Sequence, residues 1–511
     1  MRRIVPGLML AALPSLAPMP VSAQAIVISP KPDKVAVTVY RDPDGQGAMD
    51  LGWLGGFALV TETRRVTLPA GEVDLRFEGV AGGLIPQSAV VSGLGDGVTE
   101  KNRDAKLLSP GTLIDAYLGQ RVHLRRTSKA TGKVTDQEAI VRASGNGIVV
   151  QTATGIEALR CTGLNETLLT PRVPADLSAK PTLSVRTHAD HPVEADVTLT
   201  YLSSNFDWRA HYVATLAPDG KTLALFAWLT LANGDDTSFA NADTMAVAGR
   251  LNREETERLE PEARPISISC WPSRTTSDID DRYPPPPPPP QAERDEIVVT
   301  GSRITVETLL NELPQLIAKR ENLGDLKLYR IPIPVTVAAH SQKQIALLRQ
   351  PSARIVSKYR WDTTFANGTD EQRAAQRLLK MDNRQAAGLG LPLPAGSFTL
   401  YTMRDGQPFL LGEGAMTDRA VGEMVDVVLA DTPGVEVEQR QVAENGKGRE
   451  TILVATNDQP AEALLEVRFG DDSKPLKAKG GKVRWRDGRW VWEVAIPANS
   501  SRSLTLRYSA N

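Results

Sequence analysis

Apolar and polar residues alternate with a period of two along most of this chain, which predicts strands that bury one face. Residues 35–39 show the pattern near the N-terminus, with valine at every second position. Residues 66–68 and 73–77 repeat it on either side of Pro69-Ala70-Gly71. A proline and a glycine between two alternating segments predict a β-hairpin at this point.

A second kind of strand is predicted at residues 223–232, the longest strongly apolar run without a charge. Leucine or alanine occupies every second position from Leu223 to Leu231, and Phe226 and Trp228 make the opposite face apolar as well. Apolar residues on both faces are typical of a strand in the middle of a covered sheet. The run is shorter than the roughly 20 residues of a membrane helix.

A tryptophan-rich hairpin is predicted close to the C-terminus. Asp487-Gly488 suits a two-residue type I′ turn, which places Trp485 opposite Trp490 and Val483 opposite Trp492. Two interpretations of the aromatic face are open: a stacking platform for bases or sugars, or the core of a sandwich. Large aromatic side chains usually supply buried area, which favours the core.

These patterns together predict a mainly β fold, with several β-sandwich or small β-barrel domains in tandem and a disordered Pro-rich insertion. Residues 251–304 are rich in charge, Ser, Thr and Pro and hold few large apolar side chains, so they cannot offset the entropy of ordering. The predicted segments are a signal peptide (1–23), an N-terminal β domain (24–105), a small β module (106–175), a central β-sandwich core (176–250 and 320–436), the disordered insertion (251–304), a short helical segment (305–319) and a C-terminal β-sandwich (437–511).

The N-terminus has the pattern of a secretory signal: Arg2 and Arg3, an apolar run at 8–16, and small residues up to Ala23. The formal net charge is −2, and removing the two arginines makes it −4, since −2 − 2 = −4. A chain without a broad basic field is not expected to bind nucleic acid. We expect an exported protein in the periplasm of a Gram-negative-type envelope, with no transmembrane segment after signal cleavage.

The chain contains two cysteines, Cys161 and Cys270. Export would place them in an oxidising compartment, where two thiols can pair. Because Cys270 lies in the predicted disordered insertion, a disulfide and two free thiols are equally compatible with the sequence.

Residues that could carry chemistry are sparse. His188 and His191 with Asp190 form the densest group of metal-type ligands, but their spacing puts the two histidines on opposite faces of a strand, which favours a polar loop. No nucleophile elbow, phosphate loop or dinucleotide fingerprint is present. The sequence predicts no cofactor and no metal site. A hydrolase using carboxylates from distant strands, such as Asp207 or Glu413, is an alternative.

A proline run at 284–290 leads into a short apolar peptide that resembles the TonB box of outer-membrane receptors. The run should form a polyproline II rod of roughly 20 Å. The resemblance implies a TonB-like or other envelope partner that pairs with an extended peptide; the alternative is an insertion without a partner. The predicted partner-binding residues are Asp295, Glu296, Ile297, Val298, Val299, Thr300, Gly301, Ser302 and Arg303.

Several peptides resemble the bacterial envelope family called domain of unknown function 4139, which is related to mucoidy-inhibitor-like proteins. They are residues 201–212 (YLSSNFDWRAHY), 388–396 (GLGLPLPAG), 412–413, 329–332 and 343–344. The resemblance implies an exported, mostly β protein of several sandwiches, makes residues 377–382 a strand, and carries no catalytic residues.

The two longer peptides of this resemblance also have a structural interpretation. Pro392, Pro394 and Gly396 would restrict the backbone before a strand, and Trp208 and Tyr212 could cover the end of a sheet with their polar tips outward. This interpretation is favoured over a ligand site. The leading hypothesis is an uncharacterised, non-catalytic binding or scaffolding protein of the cell envelope.

Overall fold

The chain is mainly β, as the alternation predicts. A computed structural model describes residues 25–42, 45, 49–104, 107–127, 131–144, 147–159, 165–174, 177–249, 251, 317–324, 326–363, 371–445, 448–470 and 477–508. Strand dominates this part of the chain and is arranged in several sheets. The predicted mainly β fold of several sheets is therefore confirmed.

The strands before residue 250 have the following bounds. They are β1 (Ala25–Ser29), β2 (Lys34–Tyr40), β3 (Phe57–Leu68), β4 (Gly71–Glu78), β5 (Val90–Ser92), β6 (Glu100–Asp104), β7 (Arg121–Thr127), β8 (Val134–Ala143), β9 (Ile148–Thr152), β10 (Gly155–Leu159), β11 (Asn165–Leu169), β12 (Thr182–Ala189), β13 (Val193–Ser204), β14 (Phe206–Leu216), β15 (Thr222–Asn233) and β16 (Phe239–Ala248).

The later strands follow the Pro-rich region. They are β17 (Lys319–Leu323), β18 (Leu326–Arg330), β19 (Val335–Val337), β20 (Ser341–Thr363), β21 (Glu371–Asp382), β22 (Gly396–Arg404), β23 (Gln407–Met416), β24 (Met424–Asn445), β25 (Gly448–Asn457), β26 (Ala463–Phe469), β27 (Lys477–Lys479), β28 (Val483–Arg486), β29 (Arg489–Ile496) and β30 (Ser500–Tyr508). Helical structure in the described residues consists of α1 (Pro110–Ala116) and two 3-10 turns, Pro86–Ser88 and Gln385–Ala387.

Four sheets result from the strand pairing. One has the order β1-β4-β12-β6, a second β10-β9-β8-β7-β11, and a third β17-β18-β16-β2-β3-β13-β5 with β19 beside β16. The fourth and largest contains a closed ring, β14-β15-β20-β21-β24-β23-β22, because β21 pairs with both β20 and β24. The remaining strands of this sheet, β25 to β30, lie outside the ring.

The described cores follow this pairing. One continuous core joins the first and third sheets to the inner face of the ring. The strands from β7 to β11 pair only with one another and share a separate small core with α1. A third core lies between the C-terminal strands. Strands within residues 25–104 thus share sheets with strands within residues 182–248. The predicted boundary at residue 437 falls inside β24. The domain boundaries stay predictions.

The predicted hairpin around Gly71 is wrong. β3 pairs with β2 and β13, whereas β4 pairs with β1 and β12 in another sheet. The chain therefore changes sheets at residues 69–70 instead of folding back on itself. Both strands still bury their alternating apolar residues, because the two sheets face each other across one core.

Other strand predictions are confirmed. Residues 377–382 lie in β21, as the family resemblance implies. β15 buries Leu223, Leu225, Leu229 and Leu231 on one face and most of Phe226 on the other. In the segment predicted as helical, Lys319 begins a strand, and residues 305–316 lie outside the described residues.

The tryptophan hairpin has the predicted register. Trp485 pairs with Trp490 and Val483 with Trp492. Asp487 and Gly488 both have positive φ, +51° and +75°, as a type I′ turn requires. Trp492 is core, but Trp485 is 50% exposed. The prediction that the aromatic face is core therefore holds at Trp492 and is wrong at Trp485, which lies at the edge of the sheet.

Candidate functional site

The two longer peptides of the family resemblance meet in the structure. β14 and β22 are parallel neighbours in the ring, with Ala210 opposite Gly396. A Cβ on Gly396 would lie 2.0 Å from the carbonyl oxygen of Ala210, so glycine is required for this approach. Tyr212 donates a hydrogen bond to the Pro394 carbonyl at 2.7 Å and fixes the loop that precedes β22.

The aromatic side chains of β14 point inward, so the prediction that their polar tips face outward is wrong. Trp208 and Tyr212 are 0% and 1% exposed. The Trp208 indole N–H donates to the Val247 carbonyl in β16 at 3.0 Å. Both rings contribute to the main core and satisfy their polar atoms there, which leaves the opposite face of β14 for solvent.

A polar row occupies that outer face. Asp207, Arg209 and His211 share one parity along β14, opposite to the parity of Trp208. Ser397 of β22 lies directly beside His211, and its Oγ is 2.5 Å from Nδ1. Ser397 is exposed and His211 is half-buried. We call Arg209, His211 and Ser397 the outer polar row.

The environment of His211 favours its neutral form. Burial lowers the pKa of the imidazole, and the nearby positive charge of Arg209 lowers it further. A neutral imidazole can accept the Ser397 proton or donate one, depending on the tautomer. Within the described part of the chain, no carboxylate hydrogen bonds to His211, so the Ser–His pair lacks the orienting acid of a catalytic triad.

Asp207 lies at one end of the outer face of β14 and is buried. Its Oδ1 accepts hydrogen bonds from the backbone N–H groups of Asp42 at 2.9 Å and Trp208 at 2.8 Å. Burial raises its pKa, and these two hydrogen bonds and the charge of Arg209 act in the opposite direction. The carboxyl therefore joins the loop after β2 to β14, which is a structural role.

The two carboxylates nominated by the sequence are far apart. Val213 of β14 is opposite Thr399 of β22, which is opposite Glu413 of β23. Asp207 lies six residues before Val213, so the rise along the strand alone separates it from Glu413 by roughly 20 Å. Glycosidase-type carboxyl pairs are about 5 to 10 Å apart. Asp207 and Glu413 cannot act together on one bond.

The structure instead brings Asp426 and Glu466 together. Lys380 lies 3.1 Å from Asp426 and 3.9 Å from Glu466, and Arg468 lies 3.2 Å and 2.5 Å from the same two residues. Against the opposing effect of burial, Lys380 and Arg468 lower the pKa of Asp426. Because the two cations favour the ionised form of Asp426, this group is suited to joining strands rather than to proton transfer.

His188 lies beside the expected Asp190 and beside two acidic residues that the sequence did not indicate, Glu72 and Asp96. Its Nε2 is 3.5 Å from Asp190 and its Nδ1 is 3.3 Å from Glu72, and Asp96 completes a group whose ligand atoms lie within 4.8 Å. His191 is exposed and not part of the group. Asp96, His188 and Asp190 are the described residues that could ligate a cation together. The side chains of His188 and Asp190 are 42% and 83% exposed, so water screens the charges in this group.

A fully buried polar cluster was missed by the sequence analysis. Arg64 donates to Glu62 at 2.6 Å and 2.9 Å, and both are 0% exposed. Tyr201 donates to the other oxygen of Glu62 at 2.7 Å and accepts from the Ala81 N–H at 3.0 Å. Arg64 also donates to the carbonyls of Ser29 and Glu78, which lie at β1 and β4. A sequence signal exists, since Glu62 and Arg64 share the parity of the buried Val60 and Val66.

Several predicted features lie outside the described residues. They are the signal peptide at 1–23, the partner-binding residues 295–303, Cys161 and Cys270. Among the described helices, none combines the length and apolarity needed to cross a membrane. No protein-family model matches this chain.

Proposed function

We propose that this chain is an exported, non-catalytic cell-envelope protein that binds or scaffolds other molecules in the periplasm. The signal-like N-terminus supports export, and the resemblance to domain of unknown function 4139 supports the same compartment. The described body supplies a stiff support for a binding surface, because its strands are joined in a closed ring and packed on a continuous core.

The observation that carries the proposal is the outer polar row. Its hydrogen-bonding side chains lie on β14 and β22, two strands of the ring whose backbones are fixed by pairing on both sides. The indole of Trp228 lies on the same face, opposite His211 in β15. A half-exposed aromatic ring beside a serine, a histidine and an arginine can bind a polar ligand without catalysing a reaction.

The test is affinity capture from envelope extract with the mature protein as bait. A His211→Gln, Ser397→Ala variant should lose the captured ligand or partner. A Glu413→Gln variant, which changes an exposed side chain farther along the same face, should retain it. Turnover of a defined envelope glycan or peptide by the purified protein would contradict the proposal, and so would identical capture by the two variants.

A TonB-like partner is the alternative binding function. It is supported by the resemblance of residues 295–303 to a TonB box, a peptide type that can add a strand to an exposed sheet edge. A photo-crosslinker at Val298 should give a TonB-linked product, whereas the same crosslinker at exposed Trp53 should not. The alternative is contradicted if neither position gives that product, or if deleting 284–303 leaves the captured set unchanged.

A further inference from the structure

A small cavity lies at the edge of the third sheet, away from the outer polar row. It has a volume of about 170 Å³. Its polar wall includes Lys319 of β17, Arg330 of β18 and Asp243 of β16. The lining also includes the apolar segment from Ile331 to Pro334. The cavity thus places charged groups of both signs against an apolar surface.

The volume limits what the cavity can hold. A cavity of about 150 Å³ accommodates a molecule the size of benzene, whereas sites for larger organic ligands occupy about 300 to 1,000 Å³. Nucleotides and oligosaccharides are therefore too large. A ligand modestly larger than benzene fits the cavity.

The charges indicate an anionic group on the ligand. Lys319 and Arg330 are directly opposite each other in the β17–β18 pair, an arrangement in which like charges repel. Glu321 offsets Arg330 through hydrogen bonds of 2.9 Å and 3.4 Å. A carboxylate between Lys319 and Arg330 can accept hydrogen bonds from both cations.

Asp243 indicates a cationic group on the same ligand. Arg330 is opposite Met245 in β16, so Asp243, two residues earlier, is its diagonal neighbour on the same face. Diagonal neighbours in a sheet are about 7 to 8 Å apart. That spacing allows one small molecule to present a carboxylate to the two cations and an ammonium to Asp243.

The apolar wall is held in place before a ligand arrives. Pro332 and Pro334 have restricted backbones, and the Ile331 N–H donates to the Thr244 carbonyl at 3.0 Å. Ile331 is buried, whereas Ile333 is 46% exposed and available for contact. A preformed wall lowers the ordering cost of binding.

We propose that this cavity binds a free α-amino acid with an apolar side chain of about the size of leucine. Lys319 and Arg330 hold the carboxylate, Asp243 holds the ammonium, and the segment from Ile331 to Pro334 covers the side chain. The site is separate from the outer polar row, so it can be tested independently of the function proposed above.

Calorimetric titration of the full mature chain with L-leucine tests the assignment. We expect a Kd at or below about 1 mM. The analogues 4-methylpentanoate, which lacks the ammonium, and 3-methylbutylamine, which lacks the carboxylate, should each bind at least about tenfold more weakly, since each loses the charge-assisted hydrogen bonds of one end of the ligand. Lys319→Gln and Asp243→Asn should each weaken L-leucine binding by about the same factor.

Lys327→Gln is the matched control. Lys327 lies on the same hairpin and bonds to Asn322 at 3.1 Å, but it does not line the cavity. It should bind L-leucine as the unmodified protein does, and circular dichroism should show the same fold for all three variants. The proposal is overturned if L-leucine does not bind, if either analogue binds as well, or if Lys319→Gln and Asp243→Asn bind like the control.

Discussion

Two polar clusters on neighbouring sheets differ in how completely they are buried. Glu62, Arg64 and Tyr201 lie between two sheets and are 0% exposed. The outer polar row lies on the far side of β14, with His211 half-buried and Ser397 exposed. Both clusters contain a cation and hydrogen-bonded side chains, but solvent and ligands can reach only the second.

This difference in burial distinguishes polar side chains with a structural role from polar side chains that are available for binding. In the buried cluster, Arg64 and Glu62 are saturated by each other, by Tyr201 and by backbone groups of β1 and β4. Such a cluster fixes how two sheets meet, and removing one member leaves a charge in a medium that solvates it poorly. In the outer row, a lost partner can be replaced by water, so the expected effects are on proton binding and ligand binding.

The largest predicted effect is on Arg64. Arg64→Met should lower the free energy of unfolding by about 3 to 5 kcal/mol, because it leaves Glu62 buried without its cation. Urea denaturation followed by circular dichroism measures the change. The matched control is Arg65→Met at the next position, where the side chain is 64% exposed and pairs with Asp196 at 2.9 Å. A surface pair contributes about 0 to 1 kcal/mol, so equal losses in the two variants would contradict the structural role of the buried pair.

The hydroxyl of Tyr201 gives the next largest effect. Tyr201→Phe removes the donor to Glu62 and the acceptor of the Ala81 N–H, so it should cost about 1 to 3 kcal/mol of unfolding free energy. The same urea experiment measures it. Tyr401→Phe is the control on the outer side of β22, and a half-exposed position should change stability by less than about 0.5 kcal/mol. If Tyr201→Phe lowers the free energy of unfolding no more than Tyr401→Phe does, the hydroxyl does not complete the cluster.

Local pattern was enough to predict the strands but not their partners. Alternation identifies β3 and β4 correctly, yet the short turn at Gly71 suggested a hairpin where the chain crosses between sheets. Pairing is decided by which sheet covers each face, a non-local choice that a period-two pattern does not contain. The tryptophan hairpin was predictable to the residue because the type I′ turn at Asp487-Gly488 fixes its register locally.

The candidate site was predictable only in part. Residues 201–212 and 388–396 were singled out by sequence, but the contact between His211 and Ser397 depends on the parallel pairing of strands that are 186 residues apart. Glu62 and Arg64 were overlooked because charged residues are rarely buried unless they are paired. Their parity with Val60 and Val66 is a signal in their own segment, but the groups that complete their hydrogen bonds, Tyr201 and two backbone carbonyls, come from other strands.

The third prediction concerns Asp207, which belongs to the outer face but is buried. Its pKa is raised by burial, so the folded protein holds this proton more tightly than the unfolded chain does. Its contribution to stability is therefore complete below the unfolded pKa near 3.9 and is lost as the pH rises through the folded pKa. Asp207→Asn does not titrate, and its stability relative to the unmodified protein should rise as the pH is raised from about 4.

Melting temperatures of both proteins over a series of pH values test this expectation. Glu413→Gln, which removes an exposed carboxyl from the same face, is the matched control. A difference between Asp207→Asn and the unmodified protein that does not depend on pH would mean that Asp207 is as well solvated as Glu413. Asp207 would then belong with the exposed polar groups and not with the buried ones.

The smallest predicted effect is a shift in the titration of His211, and it tests whether the outer polar row acts as a unit. Burial is the larger cause of its lowered pKa and Arg209 the smaller, so Arg209→Gln should raise the midpoint but leave it below the ordinary value of about 6.5. Proton NMR of a histidine-labelled protein measures the midpoint, with His211→Gln to assign the signal among five histidines. Arg121→Gln, which removes an exposed arginine from the second sheet, should leave the midpoint unchanged. A midpoint unaffected by Arg209→Gln would mean that the guanidinium is screened from the imidazole, and the two side chains would then bind a ligand independently.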